Sequence, residues 1–217
     1  MEKQQNNIDG IDRRSFLKRT ALAGAAMYIV PTLERVHAAE RMITGKSEGA
    51  SSMASISEQR TLGSGSASFT VSAMGFGCMG LNYHRSEHPD EQAAIRLVHE
   101  AIDRGVTLFD TAESYGPFTN ERLMGKALKG YTHKVNVTTK FGHKYVNGVQ
   151  VKTEEDSSPA NIRKVCENSL RSLGVESIAM FYQHRSDPNT PIETVAETVA
   201  QLIKEGKVQH FGLCEVN

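Results

Sequence analysis

The chain has 217 residues, enough for one domain with a sizeable core, and 25 basic residues balance 25 acidic ones. This balance argues against nucleic acid or another polyanion as a partner. The three cysteines, Cys78, Cys166 and Cys214, are too few for a disulfide framework and lack the spacing of a zinc site, so we expect no metal.

Residues 1–39 have the features of an export leader. Arg13 and Arg14 resemble the pair of a twin-arginine motif, and the apolar stretch Thr20–Val30 behind them is too short to span a bilayer. Small residues up to Ala38 predict cleavage there. We therefore expect a twin-arginine signal peptide, the translocase as a partner, no stable membrane insertion and a periplasmic location. An amphipathic N-terminal helix is the alternative interpretation.

Residues 40–59 are rich in Ser, Gly and Ala and have no periodic apolar pattern. Such a composition predicts a flexible linker, with the folded part of the chain at residues 60–217. The first elements after the linker are two short apolar segments, residues 60–63 and 68–71, which we interpret as the arms of a β-hairpin.

Strands and helices alternate from there on. Apolar stripes predict four helices, at about residues 94–102, 120–128, 159–173 and 191–204. Strict alternation implies parallel strands with right-handed crossovers, in either an open doubly wound sheet or a closed barrel. One long loop carries Asn147 and Gly148, the signal of a type I′ hairpin, which is either a lid or an inert surface feature.

Titratable residues follow three of the predicted strands. Asp110 ends the first of them and Tyr115 lies on its loop, whereas Lys140 and His184 end the next two. Active sites of (β/α)₈ barrels are built from such strand ends. The rival is a dinucleotide-binding GxGxxG turn at Gly75–Gly80, but a polar loop follows it where that motif needs a helix.

The ordered Asp, Tyr, Lys and His resemble the catalytic tetrad of the aldo-keto reductase family. The resemblance runs from about Arg60 to Asn217 and includes four further segments, Gly75–Gly80, Pro117–Glu121, Gln183–Pro188 and Phe211–Asn217. It implies an α/β fold, the (β/α)₈ TIM barrel, whose bottom the hairpin closes. About five βα units are present, so we expect the chain to be a fragment that ends after the fifth barrel strand.

The resemblance also implies an activity, the NADPH-dependent reduction of small aldehydes or ketones. Tyr115 would donate the proton, and Lys140 beside it would lower the pKa of the phenol. Asp110 would orient Lys140 and balance its charge, while His184 would donate a hydrogen bond to the substrate carbonyl.

For NADPH itself, the resemblance implies binding residues at the strand ends. They are Gly77, Cys78, Met79, Asp110, Cys214 and Glu215. Cys214 replaces a Ser that is usual in the family, which leaves Glu215 available for the nicotinamide carboxamide. Two alternatives to an enzyme remain open, a regulatory NADPH-binding protein on the same scaffold and an inactive remnant.

Overall fold

The computed structural model of the protein describes residues 58–84 and 87–215. The predicted signal peptide at residues 1–39 and nearly all of the predicted linker at residues 40–59 lie outside this part of the chain. Gln59, the last residue of that linker, is already the first residue of a strand.

An antiparallel hairpin comes first, as predicted. It consists of β1 (Gln59–Leu62) and β2 (Phe69–Ser72). Ser72 and Thr107 exchange two hydrogen bonds of 2.8 Å, one from each backbone N–H to the other side-chain hydroxyl. Because Thr107 directly precedes the second strand of the main sheet, this anchors the hairpin at the amino end of that sheet.

Five parallel strands form the main sheet, which confirms the predicted arrangement. Their spatial order is β3 (Gly75–Gly77), β4 (Leu108–Asp110), β5 (Asn136–Phe141), β8 (Ile178–Arg185) and β9 (Val208–Glu215). The register pairs Gly77 with Asp110, and it pairs Lys140 with Tyr182 on the next strand. Parallel register therefore collects the polar strand ends along one edge of the sheet.

Four α-helices connect these strands. They are α1 (Glu91–Asp103), α2 (Thr119–Ala127), α3 (Pro159–Leu173) and α4 (Ile192–Lys204), and neighbours in this order pack together. Asp90 caps α1 by accepting the Ala93 N–H at 2.7 Å, and Gly174 ends α3 with a φ of 66°. Within residues 58–84 and 87–215, none of the helices combines the length and the apolar character needed to cross a bilayer.

Two apolar clusters hold the helices against the sheet. The first joins α1, β4 and α2 through Val98, Phe109 and Met124. The second joins the later elements, with Phe181 of β8 and Val199 of α4 among its buried members. Each such side chain contributes about 1.5–3 kcal/mol on burial. Where α2 crosses α3, a side chain at Gly125 would collide with the Ser172 carbonyl, so this close packing requires glycine.

The segment after Gly80 rules out the dinucleotide-binding interpretation of Gly75–Gly80. A single turn of 3₁₀ helix, Met79–Leu81, follows the strand, and the next α-helix begins only at Glu91. Among the residues that the structure describes, no α-helix N-terminus therefore meets the glycines, as a pyrophosphate site of that type would need.

A second hairpin follows β5, with β6 (His143–Val146) and β7 (Val149–Glu155) as its antiparallel arms. At its tip Asn147 and Gly148 have φ angles of 50° and 80°, which confirms the predicted type I′ turn. The ring of Tyr145 packs against Phe118, with 4.8 Å between the ring centroids. The hairpin thus lies against the loop that carries Tyr115.

Candidate active site

Lys140 is the centre of the polar edge. Only 5 % of its surface is exposed, and its ammonium donates to three oxygen atoms. These are Asp110 Oδ2 at 2.5 Å, the Thr111 carbonyl at 2.8 Å and Tyr115 Oη at 3.2 Å. Since an ammonium has three N–H donors, all of them are satisfied. Thr138 completes the arrangement by donating to the other Asp110 oxygen at 2.7 Å.

A compact loop brings Tyr115 back over the end of β5. The Tyr115 N–H donates to the Ala112 carbonyl at 3.2 Å, and Gly116 has a φ of 69°. The Thr119 hydroxyl then donates to the Gly116 carbonyl at 2.6 Å. This turn directs the phenol towards Lys140. Asp110 and Tyr115, which lie on the same loop, therefore both reach the Lys140 ammonium and form one cluster with it.

Asn120 fixes this loop to the first strand, a role that the sequence did not reveal. It is buried, and its amide donates to the Cys78 carbonyl at 2.9 Å and accepts from the Thr111 hydroxyl at 2.6 Å. The sequence signal that could have found it is its position in the Pro117–Glu121 segment. Asn120 therefore connects β3 with the loop of the candidate site.

His184 lies across from the phenol. Its ring meets that of Tyr115 edge-on, with 6.0 Å between centroids and 80° between planes. Burial lowers the pKa of His184 to about 3, and the charge of Lys140, His143 and Arg185 adds to this effect. The Ser114 hydroxyl lies 3.5 Å from Nδ1. A neutral imidazole that accepts this bond carries its proton on Nε2.

The pKa of Tyr115 is set by two opposing effects, of which the sequence revealed only one. Burial raises the pKa of Tyr115 above its ordinary value, although Lys140 acts in the opposite direction. Lys140 thus lowers the pKa of the phenol as predicted, but burial, which the sequence did not reveal, outweighs it, so the net pKa of Tyr115 is raised. Burial also lowers the pKa of Lys140, but Asp110 and Tyr115 outweigh it, so that the pKa of Lys140 lies above its usual value. At neutral pH the site holds an ammonium and a neutral phenol.

Three of the residues predicted to bind the cofactor lie at the end of β3, and they differ in how exposed they are. Gly77 is exposed at the strand end, and nothing lies within 4 Å of where its Cβ would be. Met79 is 38 % exposed beside it. Cys78 is fully buried instead, its N–H donates to the Asp110 carbonyl, and its own carbonyl accepts from Asn120. The structure thus places Gly77 and Met79 at the open edge and Cys78 in the core.

The end of β9 carries the other two predicted contacts. Cys214 is partly exposed. The Glu215 carboxylate pairs with the Arg185 guanidinium at the end of β8. More than half of the Glu215 side chain is exposed, 57%, so the expectation that it contacts the nicotinamide carboxamide stays a prediction.

A second histidine borders the site and was missed from the sequence. The His143 ring lies 4.7 Å from the His184 ring, and its Nδ1 lies 2.7 Å from Glu155 Oε2 across the second hairpin. An undistorted type I′ hairpin would pair His143 with Lys152. A register shift between His143 and Tyr145 moves the partner to Glu155. The Asn-Gly signal predicts the turn but not this shift.

Comparison with known proteins gives consistent results. Residues 73–217 match the family model "Aldo/keto reductase family". A probable aldo-keto reductase 1 of Glycine max is 42% identical over 154 residues, which is 70% of this chain and 44% of that protein. The chain thus spans less than half the length of this relative.

Solved structures agree with this result. An aldo-keto reductase from Bacillus halodurans in its holo form has 32% identity and a TM-score of 0.63, over 72% of this chain and 49% of its own. An aldo-keto reductase from Klebsiella pneumoniae in complex with NADPH has 27% identity and a TM-score of 0.55, over 68% of this chain and 47% of its own. These neighbours confirm the predicted fold class, an α/β barrel with a parallel sheet.

Proposed function

Because the chain belongs to the aldo/keto reductase family, we propose that the protein is an NADPH-dependent oxidoreductase that reduces small aldehydes or ketones to alcohols. One observation carries this proposal. The Lys140 ammonium joins Asp110 and the Tyr115 phenol at the strand ends. The neutral ring of His184 borders the same phenol.

Tyr115 acts as the general acid. Reduction places a hydride on the carbonyl carbon and a proton on its oxygen, where negative charge develops. The raised pKa of Tyr115 keeps the phenol protonated at neutral pH. An alkoxide is a much stronger base than a phenolate, so the proton still moves downhill to the product. The phenolate that remains lies 3.2 Å from Lys140 Nζ, which stabilises it.

Asp110 keeps Lys140 charged and in place. Without a partner, an ammonium buried to this degree would tend to lose its proton. The ion pair with Asp110 and the bond to the Thr111 carbonyl prevent this and leave one N–H for Tyr115. The stabilising charge is therefore present before the reaction begins, and no group has to reorganise to supply it.

His184 orients the carbonyl. Its depressed pKa keeps the ring neutral. In the tautomer whose Nδ1 accepts from the Ser114 hydroxyl, 3.5 Å away, the Nε2 proton is left for a substrate oxygen. A neutral donor fixes the carbonyl without competing with Tyr115 as the proton source. Substrate orientation and proton transfer thus rest on two different side chains.

The open strand ends fit a nicotinamide cofactor, which supplies the hydride when it is bound. Gly77 presents backbone with free space above it beside Asp110, and Met79 and Cys214 border the same edge. The Klebsiella pneumoniae neighbour was solved in complex with NADPH, which supports this choice of cofactor. Cys78 would contribute only through backbone that already bonds within the protein.

Replacing Tyr115 by Phe tests the proposal, in protein made at its natural length. We expect Tyr115→Phe to lower kcat for aldehyde reduction about 10²- to 10⁴-fold, because it removes one hydroxyl that donates the proton. NADPH binding, followed by fluorescence, should be retained. Tyr131→Phe is the matched control, since Tyr131 packs on His99 away from the strand ends.

Three outcomes would contradict the proposal. If Tyr115→Phe reduces aldehydes as fast as the parent protein, Tyr115 is not the acid. If the parent binds NADPH but turns over no carbonyl compound, the regulatory binding protein becomes the better interpretation. A parent that does not bind NADPH would favour the inactive remnant.

We further propose that the protein is exported by the twin-arginine route to the periplasm. This proposal rests on Arg13 and Arg14 in the sequence. Since that route carries folded proteins, the reductase could cross with its cofactor already bound. Cell fractionation of the natural protein and of a variant with both arginines changed to Lys tests it. A natural protein found wholly in the cytosolic fraction would contradict export.

A further inference from the structure

Asn120 is a fully buried residue on the first turn of α2, the helix that follows the Tyr115 loop. Its side chain makes three hydrogen bonds. The amide nitrogen donates to the Cys78 carbonyl at 2.9 Å and to Asn82 Oδ1 at 2.6 Å, and the amide oxygen accepts from the Thr111 hydroxyl at 2.6 Å. Both N–H donors are therefore used, and each bond ends on a group outside α2.

Two of these bonds hold the segment after β3. Cys78 and Asn82 stand at the two ends of the 3₁₀ turn Met79–Leu81, so Asn120 fixes this turn from both sides. Gly77, whose backbone borders the open edge proposed for the nicotinamide cofactor, directly precedes the segment. Asn120 is thus bonded to the cofactor side of the site.

The third bond leads to the residue that holds the catalytic ammonium. Thr111 is fully buried, its hydroxyl donates to Asn120, and its carbonyl accepts from Lys140 Nζ at 2.8 Å. The Thr111 N–H donates in turn to the Thr138 carbonyl at 2.9 Å. Because one buried residue carries both the hydroxyl and the carbonyl, a shift of Asn120 would move an acceptor of Lys140.

Asn82 extends the connection to the turn at Tyr115. Its Nδ2 donates to the Thr119 hydroxyl at 3.2 Å, and that hydroxyl donates to the Gly116 carbonyl at 2.6 Å. Tyr83, the next residue along the chain, lies beside Tyr115, with 6.0 Å between the ring centroids and 26° between the planes. The segment after β3 is therefore bonded to the turn that directs the phenol.

We propose that Asn120 is a positioning residue for carbonyl reduction, which fixes the cofactor segment after β3 relative to Lys140 and Tyr115. The inference rests on the proposed function and extends it to a residue that does not touch the reacting atoms. Reduction requires the hydride donor and the proton donor to be aligned on one carbonyl group, and a misplacement of about 1 Å can cost about 10²-fold in rate. Because Asn120 is bonded to both sides, its loss disturbs their relative position.

Two variants of matched shape, made in the natural-length protein, break the connection. Asn120→Leu keeps the branched shape and removes all three bonds, and we expect it to lower kcat about 10- to 100-fold. Thr111→Val removes only the hydroxyl, leaves the carbonyl that accepts from Lys140, and should lower kcat several-fold. Thr198→Val is the control, because its buried hydroxyl donates within α4, away from the site, and kcat should not change.

The rate of hydride transfer in a single turnover separates positioning from lost stability. It is measured by stopped-flow and expressed per bound NADPH, so unfolded protein does not contribute. Asn120→Leu should show the full 10- to 100-fold fall in this rate, while its Kd for NADPH should change much less. A rate per bound NADPH equal to that of the parent would overturn the inference, as would an equal fall in Thr198→Val.

The double variant shows whether Thr111 and Asn120 act through one bond. If they do, adding Thr111→Val to Asn120→Leu should lower kcat no further, because the bond is already absent. Losses that multiply would mean independent effects and would overturn the proposed connection.

Amide hydrogen exchange tests the hold on the cofactor segment without turnover. The amides of Leu81 and Tyr83, which bond within this segment, should exchange faster in Asn120→Leu and at the parent rate in Thr198→Val. Unchanged exchange in Asn120→Leu would overturn the inference. A parent that shows no turnover contradicts the proposed function and this inference with it, whereas an active parent with an unimpaired Asn120→Leu contradicts the inference alone. Should Asn120→Leu not fold, Thr111→Val against Thr198→Val decides, and equal single-turnover rates for these two would overturn it.

Discussion

Two polar clusters lie on opposite faces of β5, and they differ in how their charges are matched. The catalytic cluster, Asp110, Tyr115, Lys140 and His184, lies on the face to which Lys140 points. The carboxylate cluster, Glu113 and Glu121, lies on the face of Thr139, whose hydroxyl donates to Glu121 at 2.7 Å. Strand alternation separates the two, because successive side chains point to opposite faces.

The comparison shows that the neighbouring charge decides what burial does. In the catalytic cluster opposite charges meet, and Lys140 stays charged although it is buried. In the carboxylate cluster burial raises the pKa of Glu113 to about 8, and the negative charge of Glu121 adds to this rise. On one face of β5, Lys140 therefore carries a permanent positive charge. Next to the other face, Glu113 is a neutral acid.

The largest effect should follow from breaking the matched pair. Lys140→Met leaves Asp110 without its cation, and we expect kcat to fall about 10²- to 10⁴-fold because the phenolate loses its stabilising charge. The free energy of unfolding should fall by about 3 kcal/mol, as for a buried pair that loses one partner. Kinetics and chemical denaturation measure both.

Lys144→Met is the matched control for this change. Lys144 pairs with Glu154 on the second hairpin, at an exposed position. Its loss should leave both kcat and stability unchanged within error. If Lys140→Met proves as stable and as active as Lys144→Met, the buried pair has no role of the kind described here.

The carboxylate cluster should make stability fall as pH rises from about 6.5 to 8. Over this window folded Glu113 keeps a proton that the unfolded chain has lost, so the slope of unfolding free energy with pH is negative. Glu113 accounts for a fall of about 2 kcal/mol in the free energy of unfolding over this pH window. Glu121, whose pKa burial also raises, contributes with the same sign. His184 contributes only below about pH 6.5, with the opposite sign.

Urea denaturation at several pH values measures this dependence. Glu113→Gln should lose part of the slope, whereas Glu100→Gln, at an exposed position on α1, should keep all of it. A parent protein whose stability is constant from pH 6.5 to 8 would show that Glu113 is ionised in the folded state throughout.

The smallest effects are expected from the same substitution made at two adjacent positions of β5, whose side chains point to opposite faces of the strand. Thr138→Val and Thr139→Val each remove one buried hydroxyl, and each should cost about 1 kcal/mol of stability. Only Thr138→Val should also lower kcat, several-fold, because Thr138 holds Asp110. Equal kcat for the two variants would indicate that the faces are not functionally separate.

The meeting of the polar strand ends at one edge could be predicted because all strands of a parallel sheet run in the same direction. Once strands and helices alternate, the carboxyl ends of the strands must meet at one edge, and Asp110, Lys140 and His184 fall there. The close approach of Tyr115 followed from the family resemblance, and the turn at Gly116 explains it physically.

Other features were not predictable because they depend on tertiary context. The net pKa of Tyr115 depends on burial, which neighbouring residue types do not reveal. The pairing of His143 with Glu155 depends on a shift in strand register that the Asn-Gly signal does not encode. The pair of Glu113 and Glu121 forms only when α2 folds back over β5, so the charge of each looked like an ordinary surface charge in the sequence.

Transfer of an isotope tests the central claim most directly. The natural-length protein would be incubated with an aromatic aldehyde and NADPH in which both hydrogens at the nicotinamide C4 position are deuterium, and the product analysed by mass spectrometry. Carbonyl reduction predicts an alcohol with one deuterium on the former carbonyl carbon, which forms far more slowly in Tyr115→Phe than in the parent. An alcohol without deuterium, or no alcohol in the parent, would contradict hydride transfer at this site.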